Sequence, residues 1–192
     1  IFDGKKELYD DWDQPNPLGH YARSKYMGER YVIEHTHKYI VCRAGWMMGG
    51  GPSKDKKFIS KLIKQLVSGK KELFIVNDKD GTPTYTVDFA RNVKLLLETE
   101  YWGLYNLVCK GQTSRMEVAE ELVSLLNLKE KVKLTEVTSE HFKDTYFAQR
   151  PPCERLVNKK LELRQLNIMR DWRIALKEYL QDYYADYLKD KL

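Results

Sequence analysis

The stretch YARSKYMGERYVIEHTHKYIVC, residues 21–42, decides the fold. Small and apolar positions recur at helical spacing from Tyr21 to about Glu34, and the short apolar run Tyr39–Cys42 that follows reads as a strand. The alternation continues outward. Upstream, residues 3–18 form a polar, acidic loop punctuated by Pro15 and Pro17. Downstream come Arg43-Ala44-Gly45-Trp46 and a loop, Gly49-Gly50-Gly51-Pro52. A helix over about 57–68 then sets Phe58, Ile59, Leu62, Ile63, Leu66 and Val67 on one stripe and Lys57, Lys61 and Lys64 on the other. LFIVN at 73–77 is a strand, Asp80-Gly81 a turn, 86–98 a helix and LYNLV at 104–108 a strand. Ser114 is a plausible N-cap for a helix to Leu126. A strand at 132–137, a short helix near 139–147 and a final helix from Asp171 complete the chain. Strand and helix alternate almost throughout, the pattern of an α/β protein with a largely parallel sheet.

Composition narrows the class. A chain of 192 residues with 32% charged residues of mixed sign can bury a real core and is not disordered. The three cysteines, Cys42, Cys109 and Cys153, are scattered and odd in number, which fits neither a disulfide framework nor a metal knuckle, so no metal site is expected and a reducing, cytoplasmic setting is. No apolar run is long enough to cross a bilayer, and no membrane partner is expected. Seven lysines fall between Lys54 and Lys71 and the net charge is +5, but they alternate with an apolar stripe and only Phe58 interleaves. A solvated helix face explains them better than a nucleic-acid surface.

Tyr21 and Lys25 stand four apart, one turn of a helix, and so share a face. Two of the thirteen tyrosines have a lysine at that offset, the other being Tyr187 with Lys191, so spacing alone leaves a surface tyrosine beside a solvated lysine as an open reading. The surrounding series says more. It runs IFDG (1–4), YDDWDQPNPLGHYARSKYMGERYV (9–32), YIVCRAGWMMGGG (39–51), LFIVNDKDGTPTYTVDFARNV (73–93) and GLYNLVCKGQTSRMEVAEEL (103–122). In order and motifs it resembles the extended short-chain dehydrogenase/reductase family, and within it the dTDP-4-dehydrorhamnose reductases, over nearly the whole chain.

That resemblance implies a Rossmann-like parallel sheet and reduction of a nucleotide-linked 4-keto-6-deoxy sugar by NADPH or NADH. Tyr21 would be the general acid and Lys25 its neighbouring cation, both also touching the cofactor. An ammonium about 4 Å from a phenolate is worth roughly 4 kcal/mol at an effective dielectric of about 20. Trp46 would line the sugar pocket, with ordinary core packing as its other reading. Arg150 falls where relatives carry an Arg-Pro near the nucleotide diphosphate, and a solvated arginine is its other reading. Epimerases and dehydratases share the Tyr-Lys pair, and a regulatory, non-enzymatic relative would keep the fold. Homo-oligomer formation is left open.

Two family features are missing from the sequence. No glycine-rich turn of the GxxGxxG kind occurs to hold a pyrophosphate, and Gly49-Gly50-Gly51 follows a strand too late to substitute. The family's catalytic Ser or Thr would fall just before Ile1. The expectation is therefore the C-terminal two thirds of a reductase, an incomplete sheet with a small substrate-binding part. Residues 1–110 would belong to the dinucleotide-binding domain and 111–192 mainly to the substrate side, the chain being inactive by itself.

Overall fold

A computed structural model describes residues 1–145, 150–189 and 191. In chain order the elements are α1 (His20–His35), β1 (Ile40–Arg43), β2 (Trp46–Met48), α2 (Gly51–Lys54), α3 (Phe58–Val67), β3 (Glu72–Val76), β4 (Asp80–Gly81), β5 (Pro83–Tyr85), α4 (Thr86–Thr99), β6 (Gly103–Asn106), β7 (Thr113–Ser114), α5 (Arg115–Leu125), β8 (Lys133–Val137), a single 3-10 turn (Ser139–Phe142), β9 (Cys153–Glu154), α6 (Lys159–Leu163) and α7 (Trp172–Leu188). The short helix expected near 139–147 is that 3-10 turn, and its last two residues lie outside the described ones.

The main pairings are parallel. β1 lies beside β6 with Ile40 opposite Gly103, β2 beside β5 with Trp46 opposite Pro83, and β3 beside β8 with Glu72 opposite Lys133. Backbone bonds from Leu107 N–H to the Arg43 carbonyl, 2.8 Å, and from Cys109 N–H to the Pro83 carbonyl, 2.9 Å, carry the β6 strand on toward β5. Parallel pairs need crossovers, and the helices between the strands provide them.

Local chemistry explains where the helices start. Ser114 and Glu117 form a reciprocal capping box at α5, each side chain bonded to the other's backbone N–H, and the Asp171 carboxylate accepts the Arg173 N–H at α7. α3 buries Ile59, Leu62, Ile63 and Leu66 and leaves Lys57, Lys61 and Lys64 on its exposed face, the solvated face expected. One correction concerns Gly49-Gly50-Gly51-Pro52, which is not all loop. Gly51–Lys54 winds one helical turn, because proline fits a first turn and the Gly51 N–H finds the buried Tyr179 hydroxyl at 3.1 Å.

The main core runs through β2, β3, β5, β6, α3, α5 and α7, with Trp172, Tyr85, Tyr105 and Tyr179 among its largest members, and a smaller cluster gathers Phe2, Tyr9, Val108 and Leu156. Several of the polar groups buried beside the main core are paired. Tyr179 Oη donates to the buried Asp55 carboxylate at 2.9 Å, and burial, then the hydrogen bonds to Tyr184 and Asp55, push that phenol upward, so it stays a donor. Arg170 clamps Asp88 of α4, 2% exposed, through Nη2 at 2.8 Å and reaches Glu178 of α7 at 3.0 Å. Removing the cation would leave a buried carboxylate with only the exposed Arg91 at 3.5 Å, so Arg170→Met should cost about 3 kcal/mol of stability, read as a lowered urea midpoint.

α1 differs from α3, α4, α5 and α7, each of which buries several side chains. It has no buried residue. A half-buried stripe of Ala22, Tyr26, Glu29 and Ile33 holds it, while Met27 and Tyr31 are 71% and 65% exposed. The physical reason is the composition of that stripe, which offers little apolar area. A forked ion pair substitutes, with Arg43 Nη2 and Nε donating to Glu29 at 2.6 and 2.8 Å.

Candidate active site

Helical geometry sets the first part of the site. Tyr21 and Lys25 project from one face of α1, with Lys25 Nζ 5.6 Å from the centroid of the Tyr21 ring. Arg150 arrives from far along the chain and sets its guanidinium carbon 5.1 Å from the same ring. Tyr21 is 62% exposed. Among the described residues neither Lys25 nor Arg150 has a carboxylate within ion-pair distance. Two cations and a phenol thus meet at an open surface with no ion-paired carboxylate among the described residues.

Sheet register builds the second part. β4 pairs with both β7 and β9, which sets Gly81 opposite Thr113 on one side and Glu154 on the other. Trp46 reaches this ladder through its N–H, bonded to the Thr82 carbonyl at 2.8 Å. Its indole lies against Gly81 so closely that a Cβ there would come within 2.2 Å of two ring carbons. Indole Nε1–H donates to Glu154 Oε2 at 3.0 Å. The Arg115 guanidinium covers the indole, its Cζ 3.7 Å from the ring centroid and 4.7 Å from that of Phe58. Trp46 is therefore a packed and oriented ring that carries a guanidinium.

Arg115 and Glu154 are the two residues that sequence reasoning missed. For Arg115 a signal was present, since a cation at the first position of a helix opposes the helix dipole. Burial pulls the Arg115 guanidinium down to about 10, Glu154 opposing that shift and Arg150 adding to it, so Arg115 and Arg150 lie within electrostatic reach of each other.

Other chemistries lack the right groups here. All three cysteines are free, and burial pushes the Cys42 thiol up to about 11 and Cys109 to about 12, which keeps them protonated rather than nucleophilic. Among the described residues no three His, Cys, Asp or Glu side chains gather as a metal site, and no helix is long and apolar enough to cross a membrane. The glycine triplet is not a phosphate cradle, because Gly51 is buried with its N–H on Tyr179 and its Cα side against the Tyr183 ring. Nothing in these glycines suits a pyrophosphate.

The chain is 32% identical to the Bacillus subtilis spore coat polysaccharide biosynthesis protein SpsK over 95% of its own length and 61% of that protein's. It superposes with a TM-score of 0.85 on the crystal structure of a dTDP-4-dehydrorhamnose reductase from Clostridium acetobutylicum, at 35% identity, covering 94% of this chain and 62% of that one. A Bacillus anthracis dTDP-4-dehydrorhamnose reductase in complex with NADP gives 0.86 at 29% identity, covering 95% and 62%. The chain thus spans about three fifths of the length of the relatives it matches. The family model described as the RmlD substrate binding domain matches residues 1–185, and the chain belongs to that family, on a Rossmann-like α/β fold.

Proposed function

We propose that the protein carrying this chain reduces a nucleotide-linked 4-keto-6-deoxy sugar with NADPH or NADH. The observation that carries the reading is the shared face of Tyr21 and Lys25, with Arg150 against the same tyrosine, in a chain of this family. When bound, the nicotinamide supplies the hydride. Tyr21 gives its phenolic proton to the ketone oxygen as negative charge develops there. Lys25 stabilises the phenolate that remains and holds ribose hydroxyls with its free donors. Arg150 binds phosphate oxygens of the substrate as a planar fork. In this reading residues 1–110 bring the sheet and α1 to the cofactor, and residues 111–192 bring Arg150 from the substrate side.

The test is to add a dTDP-linked 4-keto-6-deoxy sugar to the full-length protein with NADPH or NADH and follow nicotinamide absorbance. Oxidation matched by loss of the ketone is the expected result. An altered sugar without net oxidation would make the protein an epimerase or dehydratase. Nucleotide binding without turnover would favour a regulatory relative.

A further inference from the structure

We propose that Arg115 is a second guanidinium of the substrate site and binds the diphosphate of the nucleotide sugar, an inference that rests on the reductase reading above. Three local forces oppose a cation at this position. It is the first residue of α5, where the helix dipole is positive. It is largely desolvated against Trp46 and Phe58, and Arg150 adds like charge. Glu154 is the acidic neighbour, yet its Oε2 is engaged by the Trp46 indole, and Arg115 makes no ion pair or side-chain hydrogen bond among the described residues. Stacking on Trp46 and the field of Glu154 offset part of this, yet no acceptor engages the guanidinium nitrogens among the described residues, and a ligand phosphate would supply that partner.

The geometry states which ligand. Trp46 and Phe58 stack on the guanidinium and hold its orientation, and Arg115 keeps partial exposure, so its N–H edge is not sealed off. A planar fork with open donors matches phosphate oxygens bidentately, and lysine could not reproduce both the stacking and the fork. Arg150 lies against Tyr21 and within electrostatic reach of Arg115. A diphosphate shared by the two arginines would cancel their repulsion and keep the sugar end at Tyr21. Trp46 and Glu154 then act as positioning residues, holding Arg115 in place.

Calorimetric titration of the full-length protein with dTDP and, separately, with thymidine tests this. Arg115→Met should weaken dTDP about 10- to 100-fold, the loss expected for a charge-assisted hydrogen-bond pair, and leave thymidine affinity unchanged. Arg115→Lys, which preserves charge and guards against a misfolded methionine variant, should weaken dTDP less and again spare thymidine. Wild-type dTDP affinity in both variants, or equal losses for dTDP and thymidine, would overturn the inference while leaving the reductase reading intact. A wild-type protein that binds no nucleoside diphosphate would overturn both.

Discussion

Tyr21→Phe in the full-length protein should lower turnover about 10²- to 10⁴-fold, the range of a lost general acid, and leave its melting temperature unchanged. The stability half of that expectation follows from exposure. Tyr21 lies on a helix with no buried residue, and among the described residues its ring contacts are with the cations Lys25 and Arg150. Phenylalanine keeps the ring and removes only the hydroxyl, so cofactor affinity should fall little. Steady-state kinetics beside a thermal melt would check both halves. A fully active Tyr21→Phe variant would remove this tyrosine from the chemistry, whereas an inactive, unfolded one would show that α1 is held by more than its half-buried stripe.

The 192-residue chain assayed alone should show no measurable turnover and no tight nicotinamide binding, although it carries Tyr21 and Lys25. Remote binding energy positions a nicotinamide for hydride transfer, and good positioning can supply roughly 7–11 kcal/mol of a barrier. Gly49-Gly50-Gly51 cannot provide the missing phosphate contacts, since the Gly51 amide is committed to Tyr179. Losing most of the positioning outweighs any general acid. Fluorescence titration with NADPH and with NADH, beside circular dichroism to verify folding, would measure it. Micromolar binding by the folded chain would place a pyrophosphate site within these residues.

The longer elements were legible because their signals are local. α4, α5 and α7 carry helical periodicity, and Ser114 and Asp171 mark two starts by capping chemistry that needs no tertiary contact. β2, β4, β5, β7 and β9 have two or three residues each, too few for period-two alternation to show. The helical turn at Gly51 hid behind residues that usually mark loops, and the distant Tyr179 hydroxyl that receives the Gly51 N–H leaves no local signal. The site divides along the same line. Tyr21 and Lys25 are one turn apart, so sequence spacing reveals them. Arg115 and Glu154 meet Trp46 only through the pairing of β4 with β7 and β9, which brings together residues more than a hundred positions apart in the case of Trp46 and Glu154. The exposure of Met27 and Tyr31 was equally invisible, because helical spacing alone does not say which side chains find a partner.

Hydride transfer itself can be followed directly. The full-length protein would be given NADPH carrying deuterium at the transferable position, with a dTDP-linked 4-keto-6-deoxy sugar, and the sugar product analysed by mass spectrometry and proton NMR. Deuterium bound to C4 of the product, one per nicotinamide oxidised, and a rate that collapses in Tyr21→Phe are expected. A product without deuterium, or deuterium transfer that is indifferent to Tyr21, would contradict the assignment of this surface as the reducing centre.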